Sequence, residues 1–411
     1  MLVTTDVAHD SRVTREATAL ASAGYRVRVI GRDVPPDYRP PAGVEVVSAS
    51  GGSGLDVVRA FTGGVSPVRV MASATPALTG PPGGVPFPRS RVGQPVTRAL
   101  RWTLLPSHRQ RVWRKWAAGA RELAREVSYD VVHCHDFNTL PLGAELAERA
   151  GARLVYDAHE WWSGRQRHGR PDPWRRRREL LQERALAARA DLVVTVSEGI
   201  AARLGRWCTS PVVIVRNTFP QAGRGPQPRP PGLAPSALVY AGRIGAGRDL
   251  ETPLRAIPSL PGLALRLIGP ADPRYAEELA ALRGEGVEIL PPRSVDAVDA
   301  EFRAGGLCLV TLTNSCDNHR LALPNKLFHA VRAGVPVIAA DLPEMSRMVR
   351  RFGIGELYRP GDPVSFRQAV ERAREGYPAL AQAVGAARSV LAWERDAEVL
   401  LTAYQDAVRR P

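Results

Sequence analysis

Asp130-Val-Val-His-Cys-His135 is a β-rich run, Leu140 to Ala150 carries apolar residues at helical spacing, and Arg153-Leu-Val-Tyr-Asp157 is β-rich again. Buried-type strands separated by a helix call for a parallel sheet with helices on its faces. The same unit appears upstream. Leu2-Val3-Thr4-Thr5 is followed by Val13, Ala17, Leu20 and Ala21 at helical spacing over Ser11 to Ala23, ended by Gly24, and then by Tyr25-Arg-Val-Arg-Val-Ile30. Downstream, a helix over Leu180 to Arg189 leads into Asp191-Leu-Val-Val-Thr-Val196, and Val212-Val-Ile-Val215 follows. The run Pro220 to Pro235, crowded with Pro and Gly, can form neither helix nor interior strand and reads as a linker.

A second α/β series follows the linker: Ala237-Leu-Val-Tyr240, Leu263 to Ile268, Val287-Glu-Ile-Leu290, Leu307 to Leu312 and Pro336-Val-Ile-Ala339. The expected fold class is therefore α/β, with two Rossmann-like, doubly wound parallel-sheet domains facing a central cleft. The expected bounds are 1–219, a linker over 220–236, and 237–391, with an amphipathic closing helix over 392–411.

The chain has 411 residues, 44% hydrophobic, enough for a sizeable core in each half. No run approaches the roughly 18 apolar residues of a membrane span. The N-terminus shows no signal-peptide pattern. Cys134, Cys208, Cys308 and Cys316 lie far apart, without C-x-x-C or zinc-ligand spacing. The expected location is cytoplasmic, or peripheral at the inner membrane face. The formal charge is +15, and of 56 basic residues only Lys115 and Lys326 are lysines. That balance favours anionic partners, but no zinc finger, RNA-binding signature or basic heptad helix points to nucleic acid.

Residues 51–88 read as an irregular insertion rich in Gly, Pro and Ser. Residues 89–116 carry eight basic residues, no acids, and Trp102, Trp113 and Trp116. Two readings stand for that segment: a membrane-facing helix, or a helix packed on the first domain with a solvated basic face. Tryptophans at helical spacing favour the second.

Two stretches carry the chemistry. Gly242-Arg243-Ile-Gly-Ala-Gly-Arg248 is a glycine-rich turn after a strand, with two guanidinium groups spaced to grip a diphosphate. Leu323-Pro324-Asn325-Lys326-Leu327-Phe328-His329 starts a helix whose first amides form an anion site, with a rare lysine beside them.

These stretches, with Ala333-Gly334-Val-Pro-Val-Ile and Asp341-Leu-Pro-Glu344, resemble the donor half of family 4 glycosyltransferases, retaining enzymes of GT-B fold. Asp130-Val-Val-His-Cys-His135-Asp136, Tyr156-Asp-Ala-His159-Glu160 and Ala190-Asp-Leu-Val-Val-Thr-Val-Ser197-Glu198 match the first half, and Trp393-Glu394 with the last helix resembles the crossover onto the first domain. The match runs in order along nearly the whole chain. It implies that Arg243 and Arg248, with Lys326, bind the donor diphosphate and stabilise the leaving group. It places Gly242, Gly269, Leu323, Pro324, Asn325, Leu327 and His329 around the donor, and Arg293, Ser294 and Val295 at the base. His135 resembles a histidine facing the donor sugar. His9, Asp10 and Arg12 stand in place of a Gly-Gly turn, and with Asp136, His159 and Glu160 they line the expected acceptor side.

The family's paired glutamates fall on Leu321 and His329, which departs from the pattern. No Asp-x-Asp signature follows a strand, and no metal or other cofactor is expected. The co-substrate would be a nucleoside-diphosphate sugar, UDP or GDP being the expected bases, and the acceptor a small molecule or glycan. A hexosyltransferase of secondary metabolism or glycan biosynthesis is the leading reading. A GT-B nucleotide-sugar epimerase and a non-catalytic nucleotide-sugar-binding protein are the alternatives.

Overall fold

The computed structural model describes residues 1–5, 7–49, 94–166, 173–221 and 233–409, with backbone alone for His9 and residues 94–109. The insertion 51–88, most of the linker and the beginning of the 89–116 segment lie outside the described residues.

In the first half, strands β1 (Val27–Gly31) and β2 (Val44–Ser48) pair in parallel. Strands β3 (Val131–His135), β4 (Arg153–Ala158), β5 (Leu192–Thr195) and β6 (Val212–Ile214) follow in the order β3-β4-β5-β6. The expected N-terminal strand is reduced to bridges from Leu2 to Ile30 and to Cys134, which join the two sets edge to edge. The Leu2 amide donates to the His133 carbonyl at 2.8 Å, and the Val3 amide to Ile30 at 3.1 Å.

Helix α1 (Ser11–Ser22) packs on one face of this sheet. Helices α2 (Gln94–Arg125), α3 (Leu140–Ala150), α4 (Pro173–Ala187) and α5 (Glu198–Leu204) belong to the same half. On the 89–116 segment, Trp116 is fully buried and the Trp113 indole donates to the Asn138 carbonyl at 2.8 Å. These two tryptophans pack into the protein.

The second half holds six parallel strands: β7 (Ala237–Ala241), β8 (Ala264–Ile268), β9 (Val287–Leu290), β10 (Gly306–Val310), β11 (Val337–Ala340) and β12 (Gly355–Tyr358). Their order is β12-β11-β10-β7-β8-β9, reversing between β7 and β10, and such a switch point opens a crevice at the strands' carboxyl ends. The interior strands are buried on both faces, which is why β10 and β11 read as unbroken apolar runs. Helices α6 (Glu251–Ala256), α7 (Pro273–Ala280), α8 (Val295–Gly305), α9 (Asp317–Leu321), α10 (Asn325–Ala333), α11 (Pro343–Phe352), α12 (Pro363–Glu375) and α13 (Tyr377–Ala387) complete it.

Helix α14 (Trp393–Arg409) returns to the first half, packing on α1, β5 and β6. The Trp393 amide donates to the Phe219 carbonyl at 3.0 Å. Asp396, 1% exposed, accepts from the Thr218 hydroxyl at 2.6 Å and from Arg216 Nε at 3.0 Å. Asp396→Ala strands both donors in a dry seam and should cost about 2–3 kcal/mol in urea unfolding, against near neutrality for exposed Glu398→Ala.

Candidate functional site

The loops after β7 and β8 cross at close range. The Gly242 amide donates to the Ile268 carbonyl at 2.9 Å, and the Ile244 amide to Pro270 at 2.9 Å. A side chain on Gly269 (φ +145) would overlap the Gly242 carbonyl, so this expected donor residue is glycine because two backbones touch there. The Tyr240 hydroxyl donates to the Arg243 carbonyl at 2.7 Å and fixes the turn, while the Arg243 side chain is 68% exposed, 3.9 Å from Asp272. At the far end of the loop, Asp249 (φ +54) is buried and accepts from Tyr358, Thr252 and the Gly361 amide at 2.7, 2.6 and 3.2 Å.

Helix α10 begins after Pro324 without a side-chain cap; the Leu327 amide donates to the Pro324 carbonyl at 3.0 Å, which leaves the Asn325 and Lys326 amides at the helix end. Lys326 lies in that turn, its ammonium 4.8 Å from the Tyr240 ring centre and 3.6 Å from where a Gly242 side chain would begin. Burial, then Arg248, bring its pKa down to about 7. The structure thus gathers Gly242, Arg248, Asn325 and Lys326 at one strand end. Leu323 and Leu327 point into the core, so only their backbone is available to a ligand.

Across from α10, a cavity of about 420 Å³ is lined by Thr5, Asp10, Ser11, Arg12, His159 and Asn217 from the first half and by Asn325 from the second. Asp10 caps α1, accepting from the Arg12 and Val13 amides, and also accepts from the Thr5 hydroxyl. Arg12 is 4% exposed and its donors are committed. It makes a fork to Asp157 at 2.8 and 2.9 Å, reaches the Val215 carbonyl at 2.7 Å, and lies 2.9 Å from Glu16.

His135 does not face this cavity. It is 3% exposed, stacked on His133, with Nδ1 3.1 Å from Asp157. His159 takes the exposed place, its Nε2 2.6 Å from Asp157 and its Nδ1 3.9 Å from Asp136. Burial opposes its charge, but Asp157 and Asp136 outweigh that and raise its pKa to about 9. Asp136, strained at φ +62, is pushed up to about 6 by burial. Glu160 pairs with Arg165 at 3.2 Å. The ligand atoms of Glu16, His133, His135 and Asp157 lie within 4.8 Å of one another, a set able to hold a metal ion, but the Arg12 guanidinium already lies against both carboxylates, 2.9 Å from Glu16 and 2.8 Å from Asp157.

Other residues singled out in the sequence have partners of their own. His329 is 8% exposed, stacked on Phe219 and 2.8 Å from Asp299, so its imidazole is turned inward. Arg293 pairs with Glu301, and Ser294 caps α8. Leu321 packs into the first half's core. The sequence reading missed Asp157, Glu16, Asn217 and Tyr240. For Asp157 a signal was present, since it sits directly opposite His135 in the β3–β4 register.

The family model "Glycosyltransferase Family 4" matches residues 67–219, and "Glycosyl transferases group 1" matches residues 235–375. A D-inositol 3-phosphate glycosyltransferase of Actinosynnema mirum is 29% identical over 313 residues, 68% of this chain and 73% of that protein. Its namesake in Pseudarthrobacter chlorophenolicus is 27% identical over 314 residues, 69% of this chain and 72% of that protein. Among solved structures, sucrose-phosphate synthase from Thermosynechococcus elongatus superposes with a TM-score of 0.68 at 17% identity, covering 98% of each chain. Anabaena HepE, solved with UDP-glucose, gives 0.61 at 14% identity over 98% of this chain and 99% of its own.

The raised pKa of His159 fixes a pH dependence. Its folded pKa lies above the unfolded value near 6.5, so the charged form stabilises the fold fully below that pH and loses its contribution as pH rises toward 9. The stability difference between wild type and His159→Gln should shrink by on the order of 2 kcal/mol between pH 6 and 9.5. A difference flat across that window would mean that His159 titrates in the fold as it does in the unfolded chain.

Proposed function

The chain belongs to the family 4 and group 1 glycosyltransferases of GT-B fold, and on that premise we propose that it moves a hexosyl group from a nucleoside-diphosphate sugar, UDP or GDP, to a small-molecule or glycan acceptor with retention and without a metal ion. The observation that carries this reading is the cavity between His159 and Asn217 of the first half and Asn325 of the second, the residue next to Lys326 at the start of α10.

A donor diphosphate fits against the α10 amides and the two arginines, the groups that receive negative charge as the sugar–phosphate bond lengthens. Lys326 is held near 7 by burial and Arg248, so an incoming diphosphate draws a proton onto it and turns it into a full counter-charge. On the acceptor side, the Arg12 donors are already committed and Asp10 and Asp136 add acids, which suits a neutral hydroxyl better than a phosphate. His159 supports that hydroxyl or the departing phosphate, and the leaving phosphate oxygen takes the acceptor's proton. The protein then contributes orientation and charge stabilisation.

His135 acts in this scheme as a wall of the Asp157 network, and His329 as part of the interior behind α10. Neither is assigned substrate contact.

Donor turnover tests the scheme. Arg243→Ala and Lys326→Ala should each lower kcat/KM for donor hydrolysis or transfer by the equivalent of roughly 2–4 kcal/mol. His159→Ala should reduce transfer while leaving nucleotide affinity within a few-fold of wild type. Unchanged turnover in the first two variants removes the diphosphate clamp. An absence of nucleoside-diphosphate release from every UDP- and GDP-sugar tried returns the non-catalytic alternative.

A further inference from the structure

Helix α4 presents an outer face that the transfer reaction does not use. Its inner face is short: Glu183 and Ala187 are buried, Leu180 and Leu186 pack at the edge of the core, and the Tyr156 hydroxyl donates to Glu183 at 2.8 Å. On the outer face, Trp174 is 79% exposed and Leu181 54%. Among the described residues no other large apolar side chain is as exposed as Trp174. Seven residues apart, the two lie on one stripe of the helix. Arg175, Arg177, Arg178 and Arg184 are exposed to either side of that stripe, and exposed Arg176 lies on the helix's opposite side. The nearby acid Glu179 is occupied by Arg175 at 2.9 Å.

The placement extends this face. Helices α2, α3 and α4 pack as neighbours, and α2 and α4 each lead into the start of a strand, β3 and β5. Both therefore run against the strands, bringing residues 111–115 and 173–178 toward the strands' carboxyl ends, where the cleft opens. Exposed Arg111, Arg114 and Lys115 thus share that end with the α4 arginines.

We propose that the Trp174–Leu181 stripe of α4, with its flanking arginines, docks the first domain on an anionic phospholipid surface beside the cleft. Indole and leucine side chains gain an apolar phase at the headgroup boundary, and guanidinium groups pair with lipid phosphates at the same depth. Polyanions such as nucleic acid satisfy the arginines but offer Leu181 nothing. No helix among the described residues is long and apolar enough to cross the bilayer, so the contact is a peripheral one.

Vesicle flotation of the full chain tests this, with phosphatidylglycerol/phosphatidylethanolamine vesicles against pure phosphatidylcholine at low and high salt. Wild type should float with the anionic vesicles at low salt, at least tenfold more tightly than with phosphatidylcholine. The double variant Trp174→Ala/Leu181→Ser, which keeps every charge, should lose at least tenfold at an unchanged melting temperature. Arg177→Glu/Arg178→Glu/Arg184→Glu should abolish flotation. Wild-type protein that stays at the bottom, an apolar double variant that floats normally, or flotation lost only on Arg111→Glu/Arg114→Glu would each overturn the proposal. So would an oligonucleotide bound more tightly than the vesicles. Donor hydrolysis in solution should be unaffected by the double variant, so failure here is separable from failure of the transferase reading.

Discussion

A buried guanidinium, Arg12, locked to a buried carboxylate, Asp157, organises the first half's side of the cleft. The two are 145 residues apart and both less than 5% exposed. Removing both charges from water is costly and is compensated only if every donor and lone pair is used. Arg12 meets that demand by reaching Asp157, the Val215 carbonyl and Asn217. It thereby ties α1 to the ends of β4 and β6. Glu16 supplies a second carboxylate to one cation, and burial, with Asp157 adding to it, lifts its pKa to about 8. Burial opposes ionisation of Asp157 too, but Arg12 and His159 pull it well below the usual carboxylate range. His133, buried and beside His135, falls to about 3 and stays neutral. One anion therefore serves two cations, Arg12 within and His159 at the surface, and the cleft histidine keeps its proton because of that arrangement.

The fold was legible because parallel strands buried on both faces leave runs that turns and helices interrupt cleanly. The segments around Asp130–Asp157 and Ala237–Ala339 could be placed to within a residue or two. β2 and β12 escaped notice, since their intermediate burial breaks the apolar run in sequence. The first strand shrank to the Leu2 bridges because the chain turns away into the short helix Val7–His9 that precedes α1. At the site, glycine and lysine carried the signal. Gly242 and Gly269 mark close backbone approach, and Lys326 stands out against an arginine background. The histidines misled, because His135 and His159 have the same local setting at strand ends and differ in which one the β4 register buries. Arg12 does line the cavity, but its guanidinium is spent on Asp157, and nothing near it in sequence reveals that partner on β4.

Leu321 has a physical explanation that the motif comparison lacks. Its position ends α9, and α9 is docked on the first half. The Ser197 hydroxyl donates to the Leu321 carbonyl at 2.7 Å, the Trp161 amide to Asn318 at 2.8 Å, and the Gly199 amide to Glu344 at 3.0 Å. A side chain on Gly199 would meet both Leu321 and Glu344 at 2.6 Å. An apolar residue at 321 suits this seam, where a carboxylate would sit beside Glu344 and lose its water. The seam therefore holds a packed contact between the two domains where the family resemblance leads one to expect a glutamate.

Along the β7 loop, positive charge gathers at Arg248 and Lys326, with Asp272 reaching only Arg243. Asp249 is near enough in sequence to neutralise Arg248, yet its oxygens are taken by Tyr358, Thr252 and the Gly361 amide. Its left-handed backbone turns the loop so that Arg248 approaches Lys326, close enough to lower the ammonium's pKa. Like charges brought together beside a buried tyrosine ring raise the energy of the empty cleft, and an anion with two or more charges relieves it. Arg243, by contrast, is exposed and only loosely tied to Asp272, so it can close over a ligand after binding. The loop thus sets Arg248 beside Lys326 and leaves Arg243 exposed, and under the proposed transfer these three would be the groups that meet the charge of a departing diphosphate.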